Sequence, residues 1–130
     1  MNGPSQSIII TGAILAFLGV ALGAFGAHAL KSRLDADLLA VYQTGVQYHL
    51  VHALGIVLIG ILVMLLPAAR WLPAAAWTMT AGVILFSGSL YLLSFTGVRM
   101  LGAITPVGGV ALLVAWLLVA FGVLNAGATR

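Results

Sequence analysis

The stretch Ile8-Ile9-Ile10-Thr11-Gly12-Ala13-Ile14-Leu15-Ala16-Phe17-Leu18-Gly19-Val20-Ala21-Leu22-Gly23-Ala24-Phe25-Gly26-Ala27-His28-Ala29-Leu30 contains no charged residue. Crossing a hydrocarbon core about 30 Å thick takes about 20 apolar residues of helix, so this run is long enough to cross once. The whole chain has the same character: 63% of its 130 residues are hydrophobic, 5% are charged, and the mean hydropathy is +1.24. A soluble domain spends about a quarter of its residues on charge to cover a water-facing surface. Five Lys or Arg and two Asp or Glu cannot do that here. Intrinsic disorder is excluded by the same apolar content. Ala27-His28-Ala29 imitates a signal-cleavage site, but no Lys or Arg precedes Ile8 and the run exceeds the usual signal core of about 7 to 15 residues. An uncleaved span is therefore expected.

Working outward, Lys31-Ser32-Arg33-Leu34-Asp35-Ala36-Asp37 is a charged loop at the membrane surface. Asp35 and Asp37 precede a helical pattern, where a carboxylate accepts from free backbone N–H groups and suits the helix dipole. Ser5 and Ser7 are candidate caps for the first helix, and Thr105, followed by Pro106, for the last. Pro67 and Pro73 bracket a turn with Arg70 and Trp71, and Gly97 suits a left-handed helix end. The expectation is an all-α integral membrane protein, a four-transmembrane-helix bundle with short loops forming one membrane domain over 1–130. Its spans fall near 8–30, 46–66 (the helix starting as early as 35), 74–95 and 106–125. Loops 1 and 3 then share a side. They carry Lys31, Arg33 and Arg99 against Arg70 and Arg130, which places these loops in the cytoplasm and both termini outside, most naturally at a bacterial inner membrane.

Small residues recur every three or four positions in the first helix, at Gly12, Ala16, Gly19, Gly23 and Gly26, and later at Gly88, Gly108 and Gly109. Such positions let helix backbones approach closely where lipid cancels the hydrophobic drive, so packing is their expected role. Ionisable groups inside spans are functional candidates by default. His49 and His52 are neighbours on one helix face, with Tyr48 beside them, and His28 is expected at similar depth. Tyr91 and Arg99 complete a candidate polar pocket. Histidines that tie helices together lead over a ligand pocket for a quinone or lipid, and both lead over a metal or haem site. Chemistry is scarce. Cysteine is absent, no Asp or Glu lies within an expected span, and neither a carboxylate pair nor a phosphate loop is present. No catalytic residue, metal or cofactor is expected, and scattered basic residues give no nucleic-acid footprint.

Four further stretches carry a family resemblance: Gly23-Ala24-Phe25-Gly26-Ala27-His28-Ala29-Leu30, Tyr48-His49-Leu50-Val51-His52-Ala53-Leu54, Ser87-Gly88-Ser89-Leu90-Tyr91, and Leu101-Gly102-Ala103-Ile104-Thr105-Pro106-Val107-Gly108-Gly109. Together they resemble the YgdD-type small inner-membrane proteins, which have eukaryotic relatives and are classed as a domain of unknown function. The resemblance runs from Ile8 to Leu124 and implies four spans without an activity to transfer. In the family pattern the positions of Gln43 and Gln47 are often charged and that of His49 is often Gln, so His28 and His52 fit the motifs better. The leading functional expectation is a non-enzymatic accessory or assembly component in the lipid bilayer, working as a homo-oligomer or in a larger membrane complex. The alternatives are a transporter or channel, in the form of a dual-topology dimer, and a small-molecule binder taking a quinone, haem or lipid near His28 and His52.

Overall fold

In a computed structural model, described here for residues 3–128, the chain forms four helices long and apolar enough to cross a membrane, and no strand occurs among the described residues. Helix α1 is Pro4–Phe25 and continues as a π-helical turn over Gly26–Leu30. Helix α2 is Ala36–Leu65, α3 is Leu72–Thr96, and α4 is Thr105–Ala128, with a 3₁₀ turn at Arg99–Ala103 before it. The protein is therefore an all-α integral membrane protein.

Local chemistry sets several of these ends. Asp35 is extended, and its Oδ1 accepts from the Leu38 N–H at 2.8 Å, starting α2 where its carboxylate predicts. Pro67 lies just beyond the end of α2, and a proline there supplies no N–H to continue the helix. Gly97 at φ 69° closes α3, a conformation that a side chain would strain, and its N–H reaches the Leu93 carbonyl at 2.8 Å. Two expected caps are corrected. Ser5 and Ser7 lie inside α1, because Pro4 already takes the first turn, and the Ser7 hydroxyl donates back to the Pro4 carbonyl at 3.1 Å. Thr105 is the first residue of α4, and its hydroxyl meets Ser89 of α3 at 2.6 Å instead of capping.

Glycines set the antiparallel register. A Cβ on Gly12 would lie 2.7 Å from Val57, one on Gly19 2.7 Å from Leu50, and one on Gly23 3.2 Å from Val46. As α1 advances, its partner position on α2 retreats in step, and Gly26 ends the series against the Tyr42 ring. Between α3 and α4 the same rule joins Gly82 to Leu112, Gly108 to the Phe86 backbone, and Gly122 to Leu72. Gly109 makes an ordinary contact with Phe86 at 3.7 Å. Gly88 departs from its expected packing role: a Cβ there would meet nothing within 4 Å, because it turns away from both neighbouring helices.

The helices connect as a row, with α2 and α3 central and α1 and α4 flanking them. Near loop 2 the core is aliphatic: Ile8, Ile56, Leu72, Ala75, Ala76 and Met79 are fully buried. Toward loops 1 and 3 the interior changes character. There Tyr42, His49, Ser87 and Ser94 are buried. The 30 residues of α2 rise about 45 Å, longer than a hydrocarbon core of about 30 Å, so this polar half lies toward one membrane face.

Candidate functional site

The expected pocket divides into separate places. His49 and Tyr91 join a buried network, Tyr48 and His52 line a groove open to the side, and His28 and Arg99 lie exposed outside both. His28 is carried away by the π-helical end of α1. Arg99 follows the turn at Gly97 into a surface cleft with Asp35 and Asp37, without an ion pair to either.

The buried network is built on backbone carbonyls. His49 Nε2 lies 2.7 Å from the Leu15 carbonyl of α1, and Nδ1 lies 2.8 Å from the Tyr91 hydroxyl of α3. A carbonyl only accepts, so Nε2 carries the proton and Nδ1 of the neutral ring accepts from Tyr91. The approach depends on Gly19, where a Cβ would sit 3.3 Å from the His49 ring. Tyr42 repeats the motif two turns outward. Its hydroxyl donates to the Leu22 carbonyl, while its ring packs on Tyr91 at 5.4 Å and Phe95 at 5.7 Å. Ser87 donates across to the Gly45 carbonyl at 2.7 Å, and a Cβ on Gly45 would crowd Tyr91 at 2.9 Å. Among the described residues, no buried side-chain polar atom lacks a partner.

His52 is wired the opposite way. Its Nδ1 donates to the Tyr48 carbonyl at 2.8 Å, and its Nε2 accepts from the Trp116 indole N–H at 3.0 Å. The indole N–H can only donate, which fixes this tautomer. Each neutral imidazole has thus committed both nitrogens, and neither offers a free lone pair to a metal. Among the described residues, no group of three His, Asp or Glu side chains is placed to hold an ion. The Trp116 ring lies beside Gly55, bridging α4 to α2 where their backbones stay apart.

Sequence spacing alone missed Trp116 and Tyr42 as partners. The available signal was the small residue beside each ring, Gly55 and Gly26.

The family description Protein of unknown function (DUF423) matches residues 22–109, which include Tyr42, His49, His52, Ser87, Tyr91 and Thr105. The chain belongs to the DUF423 family. It is 50% identical over 111 residues to the UPF0382 membrane protein YwdK of Bacillus subtilis, covering 85% of this chain and 90% of that protein. It is 38% identical over 121 residues to the UPF0382 inner membrane protein YgdD of Escherichia coli, covering 93% and 92%. The resemblance read from the four motifs is thereby established. No solved structure matches the chain. In this DUF423 protein the matched region spans most of the hydrogen-bonded half but ends before Trp116.

Proposed function

We propose that this DUF423 protein is a non-enzymatic assembly component of a bacterial inner membrane, associating with a second copy of itself through the outer face of α1 and α2. The carrying observation is a mismatch at one depth. Gln43 and Gln47 are exposed on α2 without a hydrogen-bond partner. At the same level the neighbouring helices expose apolar side chains: Phe25 is 46% exposed, Leu92 54% and Phe95 50%. Side chains of that kind suit an apolar surrounding, in which an unpaired carboxamide costs free energy. A carboxamide both donates and accepts, so two copies of this face satisfy each other across a two-fold axis. The shallow cleft containing the two glutamines also includes Ala27, an exposed small residue over which a partner helix can come close.

The absence of native cysteine makes the test clean. Gln47→Cys oxidised in native membranes is expected to give a disulfide-linked dimer, whereas Leu117→Cys on the outer face of α4 stays monomeric. Monomer from both Gln43→Cys and Gln47→Cys sinks the reading. We further propose that loops 1 and 3 face the cytoplasm, because Lys31, Arg33 and Arg99 outnumber Arg70 across the membrane. Arg130, the remaining basic residue, lies outside the described residues. An impermeant maleimide should label Ala68→Cys in cells with a permeable outer barrier and Ser32→Cys only after lysis; the reverse pattern inverts the topology.

A further inference from the structure

Between α2 and α4, over Phe86 of α3, lies an open groove of about 500 Å³. Pro106, in the first turn of α4, stands at one end and Trp116 at the other, ten residues and so about 15 Å deeper. The Trp116–His52 hydrogen bond bridges the two walls at that deep end. Exposed Val110 and Leu113 form the α4 wall, so entry is from the lipid side. Four rings follow one another along the inside. Phe86 and Tyr48 lie 4.5 Å apart, Tyr48 and His52 stack at 5.9 Å and 7°, and His52 and Trp116 lie 5.8 Å apart.

The polar inventory of this groove is narrow. Both His52 nitrogens are engaged, and the Trp116 N–H is spent on one of them. The Tyr48 hydroxyl, on a residue 42% exposed, has no hydrogen-bond partner in the fold. It leaves one unspent donor on a residue that lines the groove. The complementary ligand is planar, to lie against the rings. It carries a carbonyl acceptor to take the Tyr48 hydroxyl, and an apolar remainder to stay in the bilayer. A saturated acyl chain offers neither the plane nor an acceptor along its length.

We propose that this groove binds the head of a membrane-soluble quinone, with a ring carbonyl accepting from the Tyr48 hydroxyl and the ring lying beside Trp116. This is a binding site only, and no electron transfer is assigned to it. It does not depend on the self-association proposed above, because the groove lies on the α2–α4 side within one protomer.

The test uses Trp116 as its own reporter. Trp71→Phe and Trp77→Phe leave Trp116 as the sole indole. This protein, one copy per phosphatidylcholine nanodisc, is titrated with decylubiquinone, which quenches indole fluorescence at contact. Saturable quenching is expected, weakened about tenfold by Tyr48→Phe, which keeps the ring stack and loses one neutral hydrogen bond. Val110→Phe, on an exposed wall position where folding is not at stake, should abolish saturation by filling the groove. Quenching that rises linearly with quinone in the bilayer overturns the proposal, as does saturation indifferent to both substitutions. Native mass spectrometry supplies the remaining outcomes. A phospholipid that quinone cannot displace, or a dimer that Val110→Phe dissolves, assigns the groove to another occupant and equally overturns it.

Discussion

The two ends of the helix row are held together by different physics. Near loop 2, Ile8, Ile56, Leu72 and Met79 meet without cross-helix hydrogen bonds from their side chains, and Thr80 returns its hydroxyl to the Ala76 carbonyl of its own helix. Near loops 1 and 3, Tyr42, His49 and Ser87 each reach a backbone carbonyl on a different helix. In lipid, apolar surfaces gain little by leaving one membrane environment for another, so the aliphatic end depends on close dispersion contact and on shape. The hydrogen-bonded end depends on position. A donor that must find one particular carbonyl resists sliding or rotation of the helices, so the polar half locks the register that the glycine contacts set.

This comparison can be broken most strongly at the glycines. Gly108→Ala drives a methyl into the Phe86 backbone and should destabilise the protein by about 3 kcal/mol, at the upper end for overpacking. Gly88→Ala, in open space on α3, should stabilise slightly through helix propensity. Unfolding titrations in mixed detergent micelles that gave both variants the same sign would refute the assigned packing. In the aliphatic half, Met79→Ala leaves a cavity and should cost about 2 to 4 kcal/mol, whereas Ile56→Leu, which keeps the volume, should cost under about 1.5 kcal/mol.

The polar half should show the opposite tolerance. His49→Leu keeps bulk but orphans the Tyr91 hydroxyl and removes the cross-helix bond to the Leu15 carbonyl, with an expected loss of about 2 kcal/mol by the same titration. His49→Gln, whose carboxamide can donate and accept, should recover about half of that loss. Equal losses for Leu and Gln would mean that His49 acts through volume, erasing the contrast between the ends. The smallest effect belongs to Trp116→Phe. It loses one lateral hydrogen bond at an open groove and should cost about 0.6 kcal/mol, the average for such bonds between membrane helices.

Much of the architecture is legible along the chain because its causes are local. Length and apolarity call for four spans, Asp35 starts α2 with a carboxylate at free N–H groups, and Gly97 ends α3 by taking a left-handed conformation. The glycine positions of α1 are also readable, since Gly12, Gly19, Gly23 and Gly26 fall on one helical stripe, and that stripe meets α2. Gly88 shows where this reading stops. A small residue permits close approach, but whether a helix lies opposite it is decided elsewhere in the chain.

The candidate site was less legible for the same reason. His49 and His52 stand three residues apart and look like one site, yet His49 turns to α1 and α3 while His52 turns to α4. Local spacing places two side chains on one helix face; it does not choose the helix each will meet. By itself the sequence determined membrane insertion, the number of spans, several helix ends and the scarcity of ionisable groups, all consequences of hydropathy, backbone conformation and neighbouring residues. Tertiary structure alone decided that Tyr42 would find Leu22, that Ser87 would find Gly45 and that Trp116 would reach His52. Those pairings exist only once the antiparallel register is set, and that register is a cooperative property of glycine contacts spread over all four helices.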